Sequence, residues 1–73
     1  MGNKEMRWRS AKEEWPTKEM TKENSEFIVV IKGAANPTTL LYDEHYGVWS
    51  DEKGNVYPVD WWMPLPEMPE VTK

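Results

Sequence analysis

The run Phe27-Ile28-Val29-Val30-Ile31 decides how this chain must be read. Its residues are aromatic or β-branched, and its apolar side chains fall on both sides of an extended backbone. A strand with that pattern is covered on two faces or lies at the centre of a sheet. It is also the longest apolar run in the 73 residues and far shorter than the roughly 20 residues of a membrane-spanning helix.

Reading toward the C-terminus, Gly33-Ala34-Ala35-Asn36-Pro37 carries the punctuation that reverses a chain, and Thr38 to Asp43 resumes with β-formers. A second reversal over Asp43 to Gly47 leads into Val48-Trp49-Ser50. A third, Asp51-Glu52-Lys53-Gly54-Asn55, leads into Val56 to Met63. In that last strand, strict alternation puts Tyr57, Val59, Trp61 and Met63 on one face and Pro58, Asp60, Trp62 and Pro64 on the other. Pro58, which has no amide to donate, indicates an edge or a bulge. From Met63 to Pro69 prolines recur every second or third residue, which predicts an extended polyproline II tail.

Toward the N-terminus, Thr17 to Glu26 has Met20 as its only apolar residue and reads as a solvated loop with room for one helical turn. Before it, Ser10-Ala11-Lys12-Glu13 matches a capping box and predicts a short helical turn. That turn ends at Trp15, because Pro16 disfavours the helical conformation of the residue before it. The expected fold is mainly β, with a small α+β arrangement as its variant. It is a three- to four-stranded antiparallel meander with a short N-terminal helical turn and a Pro-rich C-terminal tail. Residues 8–69 form the single domain, 1–7 a disordered N-terminus and 70–73 a frayed end.

Cysteine is absent, so packing must supply what disulfides and thiolate-bound metals supply elsewhere. The five tryptophans, Trp8, Trp15, Trp49, Trp61 and Trp62, are the available material in a chain with few leucines. The net charge of -4 is uneven: residues 1–32 carry seven Lys/Arg against six Glu, and residues 33–73 two against seven Asp/Glu. An acidic half repels phosphates, which argues against nucleic acid and against anionic membranes as partners. Composition and the lack of a spanning segment predict a cytoplasmic protein.

Catalytic signals are weak. His45 is the single histidine, next to Glu44 in a predicted turn, and one imidazole makes no transition-metal site. Asp43, Glu44, Asp51, Glu52 and Asp60 lie on or beside turns, where Asp bonds its own backbone. The segment 51–55 puts lysine where a calcium loop needs a ligand. No nucleophile motif or glycine-rich phosphate loop is present. A glycosidase would need two carboxylates across a sugar-sized cleft, for which a chain this small has little volume. The reading is a non-enzyme with no catalytic, metal or cofactor residues.

Trp61 and Trp62 are adjacent and so face opposite sides of a strand; only one enters a single core easily. The predicted protein-binding surface comprises Trp8, Tyr57, Trp61, Trp62, Met63, Pro64, Leu65 and Pro66. In it Met63 to Pro69 docks in a groove made by Trp61 or Trp62 with Tyr57 and Trp8. The favoured function is binding of an unidentified protein partner, with a homodimer that pairs sheet edges as one form. The alternatives are weak single-stranded nucleic-acid binding through Arg7, Trp8 and Arg9 and a purely structural domain without a ligand.

The segment Trp62-Met63-Pro64-Leu65-Pro66-Glu67-Met68-Pro69 resembles the ending Trp-Met-Pro-Leu-Pro-Glu-Pro-Pro of the family called domain of unknown function 551, which is widespread in phage and prophage genomes. Trp8 with Ser10 and Pro16, Phe27-Ile28-Val29-Val30, and Tyr42 to Trp49 resemble its other segments. The resemblance implies a small β-containing domain and a phage-associated accessory role, and it carries no activity. Trp61 stands where the family has histidine, and an indole, with one donor and no acceptor, cannot replace an imidazole in proton transfer or metal binding. The segment Thr17 to Glu26 is also longer than the family's short turn.

Overall fold

The computed structural model describes residues 6–66. The domain is mainly β, six antiparallel strands in one sheet with one short helix. In chain order these are β1 (Arg9–Ser10), α1 (Lys18–Glu23), β2 (Glu26–Ile31), β3 (Thr38–Asp43), β4 (Val48–Ser50), β5 (Val56–Tyr57) and β6 (Val59–Pro64). The strand order is β1-β6-β2-β3-β4-β5. The expected meander is present as β2 to β5, with β2 between β6 and β3 as its two-sided apolar pattern requires. Six strands replace the three or four expected, because the last strand divides in two and the N-terminal segment adds β1.

That division shapes the whole sheet. Only Pro58 separates β5 from β6, yet β5 pairs with β4 and β6 pairs with β2. One strand therefore changes partner at the proline, and the sheet must curl until its β4 end and its β2 side meet along that strand. The Pro58 carbonyl accepts from the Lys32 amide at 2.8 Å, and the missing proline N–H is no loss at a partner switch. Ile31 aligns with Val59 but Val30 aligns with Trp61, so Asp60 is an extra residue. Strict alternation fails at this bulge. Tyr57 and Val59 face the core, and after the bulge Trp62 and Pro64 do, while Trp61 and Met63 face outward.

The curled sheet encloses Phe27, Val29, Leu40, Tyr42, Trp49 and Trp62, with Met20, Ile31, Tyr57 and Val59 packed against them. Phe27 meets Trp62 edge-on with ring centroids 5.4 Å apart, and Trp49 at 5.9 Å. Trp49 and Trp62 lie 6.0 Å apart although β3 and β2 separate their strands, which is direct evidence of the curl. Edge-to-face rings each add about 0.5–1.5 kcal/mol beyond the area they bury.

Residues 11–23 cover this core. The short turn expected after Ser10 spans residues 11–13: Ser10 Oγ accepts from the Lys12 amide and the Ser10 carbonyl from Glu13 and Glu14. The longer helical element is α1, in the segment expected as a loop with room for one helical turn. Thr17 Oγ1 accepts from the Met20 amide at 3.2 Å as its N-cap, and Met20 anchors it to the core. One apolar side chain and a good cap suffice for six residues when a core lies beneath. Pro16 is buried and the Trp62 indole donates to the Glu14 carbonyl at 3.0 Å.

Met63 and Pro64 belong to β6, with Pro64 buried opposite Phe27, so the Pro-rich segment continues the sheet through Pro64. Leu65 is half-buried and Pro66 exposed; the remainder of the expected tail, Glu67 to Pro69, the frayed end 70–73 and residues 1–5 lie outside the described residues. Trp62 is 1% exposed and Trp61 47%. Trp62→Ala should cost about 3–5 kcal/mol and leave little or no native protein in a urea titration. Trp61→Ala should shift the midpoint by less than about 1 kcal/mol. Equal losses in the two variants would contradict this division of the pair.

Candidate functional site

Among the described residues, two open hollows hold the acidic turn residues. One, of about 430 Å³, is lined by Thr21, Ser25, Tyr42, Asp43, Glu44 and Ser50 among others. There Thr21 Oγ1 donates to Glu44 Oε1 at 3.1 Å, and the Asp43 carboxylate accepts from the amides of His45 and Tyr46. Burial, then the charges of Asp43 and Glu44, push the Tyr42 phenol above its ordinary value. His45 is exposed on the β3–β4 turn, its ring edge-on to Tyr46 at 4.8 Å.

The second hollow, of about 530 Å³, runs past Glu26, Thr39, Leu41, Asp51, Asn55 and Tyr57. Asp51 accepts from the amides of Lys53 and Asn55, from Asn55 Nδ2 at 3.0 Å and from the Tyr57 hydroxyl at 2.8 Å. The two bonds from Asn55 lead in holding its carboxyl down at about 2, and the Asp51 bond raises the Tyr57 phenol. Asp43 and Asp51 build turns, each accepting through Oδ1 from two backbone amides of its own reversal, and Gly47 and Gly54 take the positive φ those reversals need. Among the described residues no three His, Cys, Asp or Glu side chains converge as metal ligands.

Of Arg7, Trp8 and Arg9, the first two are exposed. Arg9 is buried, its guanidinium carbon 5.1 Å from the centroid of the Trp62 ring and its Nε 3.6 Å from Glu14 Oε1. Arg7 Nη2 lies 3.5 Å from Glu14 Oε2. Both cations approach Glu14, and Trp8 between them in the chain is exposed.

The outer face of the sheet is different in kind. Register places Trp61 opposite Val30 on one side and Ser10 on the other, and Met63 opposite Ile28. Trp8, just before β1, is 41% exposed and Trp61 47%, and Ile28, Val30, Met63 and Leu41 are each half-buried. On the outer face of β6 and β2, Trp61, Met63, Ile28 and Val30 thus occupy adjacent register positions, with Thr39, Leu41 and Glu26 beside them.

The predicted surface thus divides. Trp61 and Met63 lie on the outer face and Trp8 is exposed ahead of β1, whereas Trp62 and Pro64 are buried and Tyr57 packs against the core with its hydroxyl on Asp51. Of the groove expected from Trp61 or Trp62 with Tyr57 and Trp8, Trp62 is buried and Tyr57 half-buried, whereas Trp8 and Trp61 are exposed, and the bulge at Asp60 turns Trp61 and Trp62 to opposite faces. Ile28, Val30 and Leu41 are members that the surface as predicted omits. The signal for Ile28 and Val30 was the two-sided apolar pattern of residues 27–31, which marks an outer as well as an inner face; for Leu41 it was the Leu40-Leu41 pair, whose members face opposite sides of β3.

No family model, curated protein or solved structure matches this chain. Within the described residues no helix is long and apolar enough to cross a membrane.

The Asp51 bonds carry a pH signature. A carboxyl held at about 2 when folded and near 3.8 when unfolded stabilises the fold fully above the unfolded value, and that contribution is lost as pH falls through about 2. Asp51→Ala should lower the urea midpoint at pH 7 and flatten its decline between about pH 5 and 2. A variant that retains the wild-type acid slope would show that Asp51 does not carry it.

Proposed function

We propose that this chain is a protein-interaction module whose working surface is the outer face formed by Ile28, Val30, Trp61 and Met63. One observation carries the reading: Trp61 remains 47% exposed on the face of the sheet away from the core, beside half-buried aliphatic residues, with Trp8 exposed ahead of β1. Large exposed apolar patches mark interaction surfaces, and interface centres are enriched in Trp and Met and poor in charge. Asp43 and Asp51 are committed to turns and the basic residues near Trp8 to Glu14, so chemistry and phosphate recognition have less to draw on.

The terminal motif supports placing the chain with domain of unknown function 551 and its phage and prophage setting, where small accessory proteins act by binding others. Tryptophan in place of that family's histidine at position 61 suits a contact surface, since the exposed indole adds apolar area and a single donor.

A photoreactive phenylalanine analogue in place of Trp61 tests this reading. Irradiation in cells that produce the full chain should give discrete adducts of higher mass, to another protein or to a second copy. The same group in place of His45, in the β3–β4 turn, should give none. Equal labelling from both positions, or none from position 61, would remove the outer face as an interaction surface.

A further inference from the structure

The geometry points to a second binding site, a slot beside the first half of β3 that takes an extended, positively charged peptide as an added strand. It is separate from the outer face and does not depend on what that face does.

The slot follows from unequal strand lengths. β3 runs from Thr38 to Asp43 and pairs with β2 through Thr38 to Leu41, but β4 covers its other side only at Leu41, Tyr42 and Asp43. Past Ser50 the chain leaves β3: the Asp51 amide donates to the Asn55 carbonyl at 3.0 Å and the chain folds back into β5. A longer β4 would lie where the hollow of about 530 Å³ now opens, between Thr39 and Leu41 on one bank and Asp51, Lys53 and Tyr57 on the other.

The backbone of β3 selects what fits there. Along an antiparallel strand, successive residues turn their amide and carbonyl to opposite sides. The Tyr42 amide donates to the Ser25 carbonyl at 2.8 Å, on the β2 side, and the Asp43 carbonyl accepts from the Gly47 amide, on the β4 side. Thr39 alternates with Asp43, so its amide and carbonyl point to the β4 side, where no described strand lies opposite. A donor and an acceptor side by side on extended backbone are matched by one residue of another extended chain, which exchanges both bonds. Thr39 is exposed, so the edge is open to such a chain. The other edges are blunted: β6 ends at Pro64, which has no donor, and β1 and β5 are two residues long.

Charge selects the kind of strand. Glu26, Asp51 and Glu52 line the hollow against Lys53. The four bonds Asp51 accepts occupy its oxygens but leave its charge, so Glu26 and Glu52 are the carboxylates that pair with an incoming cation. A residue opposite Thr39 points to the face of Thr39 and Leu41, where Glu26 stands opposite Leu41. Its neighbours in sequence turn to the side of Leu40 and Tyr57. A strand alternating basic and apolar residues suits both sides, and an acidic one brings like charges together. Two backbone bonds and an exposed ion pair hold a short peptide weakly, with a dissociation constant on the order of 0.1–1 mM.

Amide spectra of the isotope-labelled full chain test the slot. In deuterated water the Thr39 amide should exchange at least about tenfold faster than those of Leu40 and Leu41. Titration to about 2 mM with a short peptide alternating lysine and valine should shift Thr39, Glu52 and Lys53 and slow Thr39 exchange. The same peptide methylated on its backbone nitrogens, and one alternating glutamate and valine, should each bind at least about tenfold more weakly. Glu26→Gln combined with Glu52→Gln should weaken binding roughly three- to tenfold. Thr39→Pro removes the donor at an edge position where proline is tolerated, and should abolish the shifts in a folded chain. If that variant does not fold, the methylated peptide decides. A Thr39 amide as protected as its neighbours, no shift with the lysine peptide, or equal binding of the glutamate peptide overturns the proposal. Shifts confined to Ile28, Trp61 and Met63 overturn the slot and move the peptide to the outer face. Shifts at Thr39 that follow protein concentration without peptide make a second copy the occupant and overturn the basic peptide.

Discussion

A single strand that changes partner at Pro58 holds this sheet closed. Before the proline it pairs with β4, after it with β2, and the curl that this imposes brings Trp49 and Trp62 to 6.0 Å across the interior. Without the closure the inner side chains would line an open, shallow trough, and a chain of 73 residues has little else with which to cover them. Proline suits the switch because its missing donor falls where the strand leaves one neighbour for another.

The bulge at Asp60 follows from the same strand and decides the surface. One extra residue exchanges the faces, so that Trp62 enters the core and Trp61 leaves it. Trp62 then serves several neighbours at once: Phe27 and Trp49 as ring partners, the Arg9 guanidinium over its face, and the Glu14 carbonyl for its indole N–H. That last bond joins residues 48 apart in sequence and ties the N-terminal cover to the core. The outer face is what remains after this assignment. Its aliphatic residues are the other half of the two-sided strand at the sheet's centre, and its exposed indole is the half of the Trp61-Trp62 pair that the bulge turned out.

Much of this was legible. Residues 27–31 announced a central strand through β-branched side chains on both faces, and the three reversals at Gly33–Pro37, Asp43–Gly47 and Asp51–Asn55 were marked by turn residues that do form them. Pro58 was legible as an irregularity. The position of the helix was not, since Ser10-x-x-Glu13 and Thr17-x-x-Met20 both begin with a capping residue, and only the core beneath Met20 chooses between them. Local propensity is too weak to settle such a contest across short segments.

The chain's own residues specify the β character, the reversals that join β2 to β5, the dependence on tryptophan in the absence of cysteine, and the turn-building role of Asp43 and Asp51. These follow from local chemistry: branching, alternation, proline and glycine geometry, and side chains that bond their own backbone. Only the tertiary structure decided the closure at Pro58, the extra residue at Asp60, and hence which indole is core and which is surface. A bulge shifts every later side chain by one face, and its placement depends on how β6 must align with β2 while β5 stays on β4, a condition set by residues distant in the chain.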